Sequence, residues 1–214
     1  MKTPEISVLQ AQKEIVVFGE NMQRMFGQVK ELYALEDDQA FNALFDRIRK
    51  AEDFSDRMEN EIGRYLGQVG DAHLSDETKE KIRGMLRQIS ELESIGDSCF
   101  NLARILRRKH ENKVVFNESL ESGIQEMFSL IDEALARMNV LLTGHKEDLG
   151  LAASQDVEYR INACRNILKQ QNIQNLDAHV YGYDIGTVFT DLIVECEKTG
   201  DYIINVAEAR LGAE

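Results

Sequence analysis

The sequence is poor in the residues that interrupt helices and in the segments that mark secreted or membrane proteins. Proline occurs once in 214 residues, at Pro4, and tryptophan does not occur. Because proline is the residue that breaks a helix interior, long helices can run through the chain without that interruption. No apolar run approaches ~18 residues and no signal peptide is recognisable, so the sequence predicts neither a membrane span nor secretion.

Cysteine is also scarce. The three cysteines, Cys99, Cys164 and Cys196, form no C-x-x-C motif, and each lies within an apolar helical pattern. An odd number of such residues is typical of a reduced intracellular protein. We therefore expect three small buried thiols rather than a disulfide framework.

Positive charge is in short supply as well. The chain has 25 Lys and Arg residues against 38 Asp and Glu residues, which gives a formal net charge of -13. Nucleic acids and anionic lipids are bound by basic surfaces, so both are unexpected partners. A chain of this charge favours cations or basic protein surfaces instead.

Apolar residues recur at three- and four-residue steps in six segments, and no segment shows the two-residue alternation of a strand. The fold class is therefore predicted to be all-α, with two tandem three-helix bundles packed end to end or side by side. The expected domains are residues 1–111 and 112–214. The predicted helices run from about Pro4 to Leu35, Asp38 to Val69, Ser75 to Lys109, Leu120 to Leu142, Asp148 to Gln171, and from a start within 177–184 to Leu211.

A motif of the form E-x-E-x-x-G-D-x-x-x-N-x-A occurs in the third predicted helix and again in the sixth. The first copy runs from Glu91 to Ala103 and the second from Glu195 to Ala207. Six letters match at the same spacing, about half a chain apart. That agreement indicates an internal repeat.

The repeat carries pairs of acidic residues four positions apart, which lie side by side on a helix face. The middle helix of each half adds a second pair, in which Asn replaces Asp in the second half. Like charges at this spacing destabilise a helix, and a bound cation would offset that cost. The candidate metal ligands are Glu52, Asp56, Glu93, Asp97, Glu158, Glu197 and Asp201, with Asn101, Asn162 and Asn205 as supporting residues.

Oxygen ligands of this kind suit hard cations such as Mg²⁺, Ca²⁺, Mn²⁺ or Fe³⁺, and zinc and nickel stay open. Gly96 and Gly200 stand within the two motif helices, where glycine costs about 1 kcal/mol relative to alanine. That cost, repeated at matched positions, indicates close helix approach or room for a ligand.

Two other interpretations compete with a metal-binding regulator. A carboxylate-bridged di-iron enzyme usually carries Glu with His three residues later on the same helix. None of the four histidines, His73, His110, His145 and His179, has a Glu at that spacing, so we predict no enzyme and no catalytic residues. A purely structural helical scaffold or oligomerisation module would explain the apolar stripes and would need no metal.

The motif E-x-x-G-D-x-x-x-N-x-A, placed at the end of each three-helix set, resembles the PhoU family of phosphate-uptake regulators over essentially the whole chain. The resemblance implies two similar three-helix bundles whose E/D-x-x-x-D carboxylates bind metal ions or clusters at the surface. The matching positions here are Glu93, Asp97, Glu197 and Asp201, with Glu52, Asp56 and Glu158 at the companion positions. Asn162 departs from the pattern, so the second site is expected to be the weaker one. If only one site is occupied, it is expected to be the one beside Gly96.

The segment from Thr3 to Glu14 looks like the stretch that follows the membrane region in bacterial sodium/phosphate cotransporters with a C-terminal PhoU-like domain. This resemblance implies a cytoplasmic regulatory domain at the inner face of the cell membrane. Its expected partner is a phosphate transporter membrane domain or another phosphate-signalling protein, with no nucleic acid, and a homodimer is left open. A free-standing regulator is the close alternative.

Overall fold

Six α-helices make up almost all of the computed structural model, which describes residues 4–70, 74–144 and 150–212. The helices are α1 (Pro4–Ala34), α2 (Asp38–Gly70), α3 (Asp76–Glu111), α4 (Glu118–Thr143), α5 (Leu151–Asp177) and α6 (Tyr183–Leu211). These ranges contain no strand, and the all-α prediction is confirmed. None of the six helices is both long enough and apolar enough to cross a membrane.

Side-chain caps fix the starts of α2, α3 and α4. Ser75 accepts a hydrogen bond from the backbone N–H of Thr78 at the start of α3, and Asn117 accepts one from Leu120 at the start of α4. These bonds satisfy N–H groups that have no partner inside a helix. Gly144 then ends α4 with a φ of 78°, a left-handed conformation that glycine adopts at low cost.

The fifth helix is longer than the sequence pattern predicts. It continues to Asp177, whereas the prediction ended it at Gln171. The reason is Asn172, a buried polar residue that interrupts the apolar pattern but is held by the start of α6. Its amide donates to the carbonyl oxygen of Gly186 and to the hydroxyl of Thr190, and it accepts from Tyr181. The predicted start of α5 at Asp148 lies outside the described residues.

The two halves of the chain pack side by side. Helices α1, α2 and α3 contact one another, as do α4, α5 and α6, and the halves meet where α1 packs on α4 and α3 packs on α6. Helices α2 and α5 therefore lie at opposite ends of the molecule. The predicted pair of three-helix bundles is confirmed, while the domain boundary between residues 111 and 112 stays a prediction.

A single hydrophobic core runs through both halves. Phe128 of α4 is buried and meets two rings of α1 edge to face, with centroid distances of 5.6 Å to Phe26 and 5.5 Å to Tyr33. Edge-to-face geometry is favourable because the positive edge of one ring meets the negative face of another. Aromatic packing therefore joins the two bundles.

The two glycines of the repeated motif mark close helix contacts. A Cβ atom at Gly96 would stand 2.7 Å from the Ser55 hydroxyl oxygen of α2, and one at Gly200 would stand 3.0 Å from Ile161 Cδ1 of α5. Both distances are too short for an undisturbed contact. Of the two predicted explanations, close helix approach is therefore correct. The contacts also show that Ser55 and Ile161 occupy equivalent positions in the two halves.

The three cysteines are free and buried, as predicted. Burial raises the pKa of the Cys99 thiol to about 12 and that of Cys164 to about 11, and it raises the pKa of Cys196 further. A thiol with such a pKa is protonated at neutral pH and is a poor nucleophile. The cysteines therefore act as small core residues.

Candidate metal centre

Three predicted ligands come together where α2 packs on α3. One carboxylate oxygen from each of Glu52, Asp56 and Asp97 lies within 4.8 Å of the others. Within residues 4–70, 74–144 and 150–212, no other group of three acidic, histidine or cysteine side chains reaches this spacing. We call these three residues, together with neighbouring Glu93, the first carboxylate cluster.

The first carboxylate cluster is crowded with negative charge. Partial burial, together with the charges of Asp97, Glu59 and Asp56, raises the pKa of Glu93 to about 7. Burial and the charge of Asp56 also raise the pKa of both Glu52 and Asp97. Repulsion between like charges and loss of hydration both favour the neutral acid, which is why these pKa values rise.

A hard divalent or trivalent cation fits this cluster. In the described part of the chain, no lysine or arginine forms an ion pair with Glu52, Asp56, Glu93 or Asp97. Carboxylate oxygens are the ligands that Mg²⁺, Ca²⁺, Mn²⁺ and Fe³⁺ prefer, and a cation would relieve the repulsion that raises the pKa values. The cluster lies at the surface, so an ion can reach it from solvent.

The second half places its predicted ligands at the matching junction of α5 and α6, but their surroundings differ. Arg165 of α5 forms an ion pair with Glu197 at 2.5 Å, and both side chains are largely buried. The amide of Asn162 donates to Glu158 at 2.5 Å. Burial and the charges of Glu197 and Glu158 raise the pKa of Asp201, while the charge of Arg165 opposes that rise. We call Glu158, Glu197 and Asp201 the second carboxylate cluster.

The first Glu and the Asn of the repeated motif pair across the interface between the bundles. Asn101 donates its amide to Glu195 at 3.3 Å, and Asn205 donates to Glu91 at 3.0 Å. Glu195 also accepts from the Ser98 hydroxyl at 2.6 Å. Both asparagines therefore hold the neighbouring helix rather than a carboxylate of their own half. These contacts of Glu91 and Glu195 were not predicted, although both residues are matched letters of the repeat.

The described histidines have structural partners. The His110 ring stacks on Phe41 with a centroid distance of 4.1 Å, and its Nε2 lies 2.7 Å from an Asp38 carboxylate oxygen. His179 contacts the backbone carbonyl of Asp177. His73 and His145 lie outside the described residues.

We expect the pH dependence of stability to report on Glu93. Its pKa of about 7 in the folded protein lies above the 4.5 of an ordinary Glu. Its contribution to stability is therefore fully present below about pH 4.5 and is lost as the pH rises through about 7. Glu93→Gln keeps the side chain neutral, so the metal-free variant should unfold at a higher urea concentration than the parent protein at about pH 8.

Urea midpoints measured in the presence of a chelator, from about pH 5 to about pH 8, test this expectation. Glu61→Gln, at an exposed position of α2, is the control and should follow the parent protein. If Glu93→Gln lost as much stability as the parent over this range, the electrostatic description of the cluster would be wrong.

The chain is similar to known proteins in part of its sequence and in its fold. The sequence profile of the PhoU domain matches residues 15–106, a range that holds the whole first carboxylate cluster. A search of curated protein sequences found no match.

Two solved structures share the fold. One is the phosphate transport system regulatory protein PhoU from Streptococcus pneumoniae, with a TM-score of 0.83, 15% identity, and coverage of 98% of this chain and 96% of that one. The other is PhoU from Pseudomonas aeruginosa, with a TM-score of 0.85, 14% identity, and coverage of 98% and 97%. At this identity the likeness shows a common fold.

Proposed function

We propose that this chain is a PhoU-type regulator of phosphate transport that binds a metal ion through its first carboxylate cluster. The observation that carries the proposal is the shared fold over 98% of the chain with two PhoU structures, one of them named as a phosphate transport system regulatory protein. The match of residues 15–106 to the PhoU domain supports it in sequence.

The metal part of the proposal rests on the first carboxylate cluster. Glu52, Asp56 and Asp97 would supply oxygen ligands. Glu93, which lies close enough to Asp97 and Asp56 to feel their charges, would add a further one once it loses its proton. The bound ion would supply positive charge that links α2 to α3 and alters the acidic surface. No residue is assigned a catalytic role.

The partner we propose is the membrane domain of a phosphate transporter, attached to this chain as in a sodium/phosphate cotransporter or separate from it. Lys198 and Glu195 of α6 both lie close enough to Asp97 to interact with its charge, so the first carboxylate cluster borders α6 as well as α2 and α3. The carboxylates of the cluster outnumber this one lysine, so the surface stays acidic. An acidic surface of this kind attracts basic loops. Docking would take place at the cytoplasmic face of the membrane, without nucleic acid.

The alternative function, a structural scaffold that binds no metal, explains fewer features of the structure than a metal-binding regulator does. It explains the apolar stripes and the continuous core, but it gives no reason for several carboxylates whose crowding raises their pKa. Repulsion of this kind costs stability unless a cation relieves it.

Deletion of the coding region in the organism that encodes the chain tests the proposed function. We expect phosphate uptake, measured with radiolabelled phosphate, to lose its dependence on the external phosphate concentration. Restoring the chain should restore that dependence, because the transporter regains the surface that biases its activity. Uptake that is regulated equally with and without the chain would contradict the proposal.

A further inference from the structure

The two carboxylate clusters differ most at one pair of equivalent positions, Glu59 and Arg165. Ser55 meets Gly96 as Ile161 meets Gly200, and Glu59 follows Ser55 by four residues as Arg165 follows Ile161. Four residues span about one helical turn. Glu59 therefore projects on the same helix face as Ser55, and Arg165 on the same face as Ile161. The first half therefore has a carboxylate where the second half has a guanidinium.

Each side chain acts on the carboxylates of its own half. The charge of Glu59 is among those that crowd Glu93, whereas Arg165 forms an ion pair with Glu197 and attracts Asp201. The exposed fraction of the side chain is 24% for Arg165 and 18% for Glu197, so solvent screens the pair only in part. Arginine stays protonated at any physiological pH, so this positive charge is permanent.

Two of the three carboxylates of the second carboxylate cluster already have a hydrogen-bond donor, although the buried Asn162 Oδ1 and Arg165 Nε have no partner among the described residues. Glu197 accepts from Arg165, and Glu158 accepts from Asn162. A metal ion entering there would have to displace these donors and would meet the positive charge of Arg165. The second cluster therefore does not fit a metal ion, although its acidic residues match those of the first.

We propose that Arg165 is the resident cation of the second half, so that the chain binds metal in its first half alone. This inference rests on the proposed metal binding in the first half. The difference between the two halves then depends on Arg165 as well as on Asn162, the residue that the sequence pattern singles out. In this arrangement Arg165 permanently offsets part of the negative charge of the second carboxylate cluster, and only the first half can respond to the metal concentration.

Exchange of the two deciding residues tests the proposal, with Mn²⁺ as the probe and titration calorimetry of the metal-free protein as the measurement. The parent chain should bind Mn²⁺ at one site, which Asp97→Asn removes and Asp201→Asn leaves intact. Arg165→Glu combined with Asn162→Asp gives the second half the same pattern of acidic residues as the first. This variant should bind Mn²⁺ at two sites. Arg165→Lys keeps the charge and should stay at one site.

Two results of the titration would overturn the proposal. The first is a parent chain with two Mn²⁺ sites, one of them lost in Asp201→Asn. The second is a folded Arg165→Glu, Asn162→Asp variant that still binds at one site, because Arg165 would then not decide the outcome.

A measurement without metal separates this inference from the proposed function. Arg165→Gln leaves the second carboxylate cluster without its cation, so the midpoint of thermal unfolding at about pH 8 should fall by roughly 2–4 °C. The fall should be smaller in Arg165→Lys, because lysine keeps the positive charge beside Glu197. An unchanged midpoint in Arg165→Gln overturns the inference. A parent chain that binds no Mn²⁺ but shows this fall contradicts metal binding in the first half and supports the resident cation.

Discussion

Asp56→Asn combined with Asp97→Asn is expected to lower the affinity of the protein for Mn²⁺ by about 100-fold or more. Each substitution replaces a charged ligand with a neutral one of the same shape, and the two carboxylates come from the two helices that form the first carboxylate cluster. With only Glu52 and Glu93 left, an ion would lose both the charge and the geometry that hold it. Titration calorimetry of metal-free protein at about pH 8 measures the change.

The same variant should become more stable when metal is absent, because two repelling charges are removed. A merely structural role for Asp56 and Asp97 predicts the opposite sign. Asp46→Asn combined with Glu77→Gln is the matched control, since it removes one exposed carboxylate from α2 and one from α3 outside the cluster. Unaltered Mn²⁺ affinity in the double Asn variant, or an equal loss in the control, would exclude this cluster as the metal site.

Phe128→Ala is expected to lower the free energy of unfolding by about 3–5 kcal/mol. The ring is buried and touches both Phe26 and Tyr33 of α1, so its removal leaves a cavity where α1 packs on α4 and ends both edge-to-face contacts. The midpoint of thermal unfolding should fall by about 10 °C. Urea unfolding followed by circular dichroism measures the free energy.

Tyr159→Ala is the control for this change, because Tyr159 of α5 is an aromatic residue with 70% of its surface exposed. Its substitution should change the free energy of unfolding by no more than about 0.5 kcal/mol. A loss below about 1 kcal/mol in Phe128→Ala would show that the contact between the bundles is unimportant for stability.

Regular spacing made most of the fold predictable. The apolar stripes of α1 to α4 and the paired carboxylates depend on steps of three and four residues, which a sequence shows directly. The helix ends at Ser75 and Gly144 were also predictable, because capping depends on the type of residue at the end of a helix. The end of α5 escaped prediction because Asn172 is buried by partners in α6 that lie 14 and 18 residues away.

The candidate site could be predicted only as far as the repeat extends. The letters shared by the two motifs located Glu93, Asp97, Glu197 and Asp201, but the residues that distinguish the halves are those that do not match. Glu59 and Arg165 lie outside the repeated motif, on helices whose alignment is fixed by the contacts of Gly96 and Gly200. An alignment of α2 with α5 that places Glu52 opposite Glu158 would have placed Glu59 opposite Arg165 and shown the change of charge.

The paired contacts between α3 and α6 have the form of a two-fold symmetric dimer interface. In such an interface residue i of one copy meets residue j of the other and j meets i, as Asn101 meets Glu195 and Asn205 meets Glu91. Two identical half-chains could form these contacts, but they would then carry the same residue at the positions of Glu59 and Arg165. Because one covalent chain holds both halves, each could change separately. A single chain thus keeps the symmetry of the interface while allowing its two halves to differ in charge.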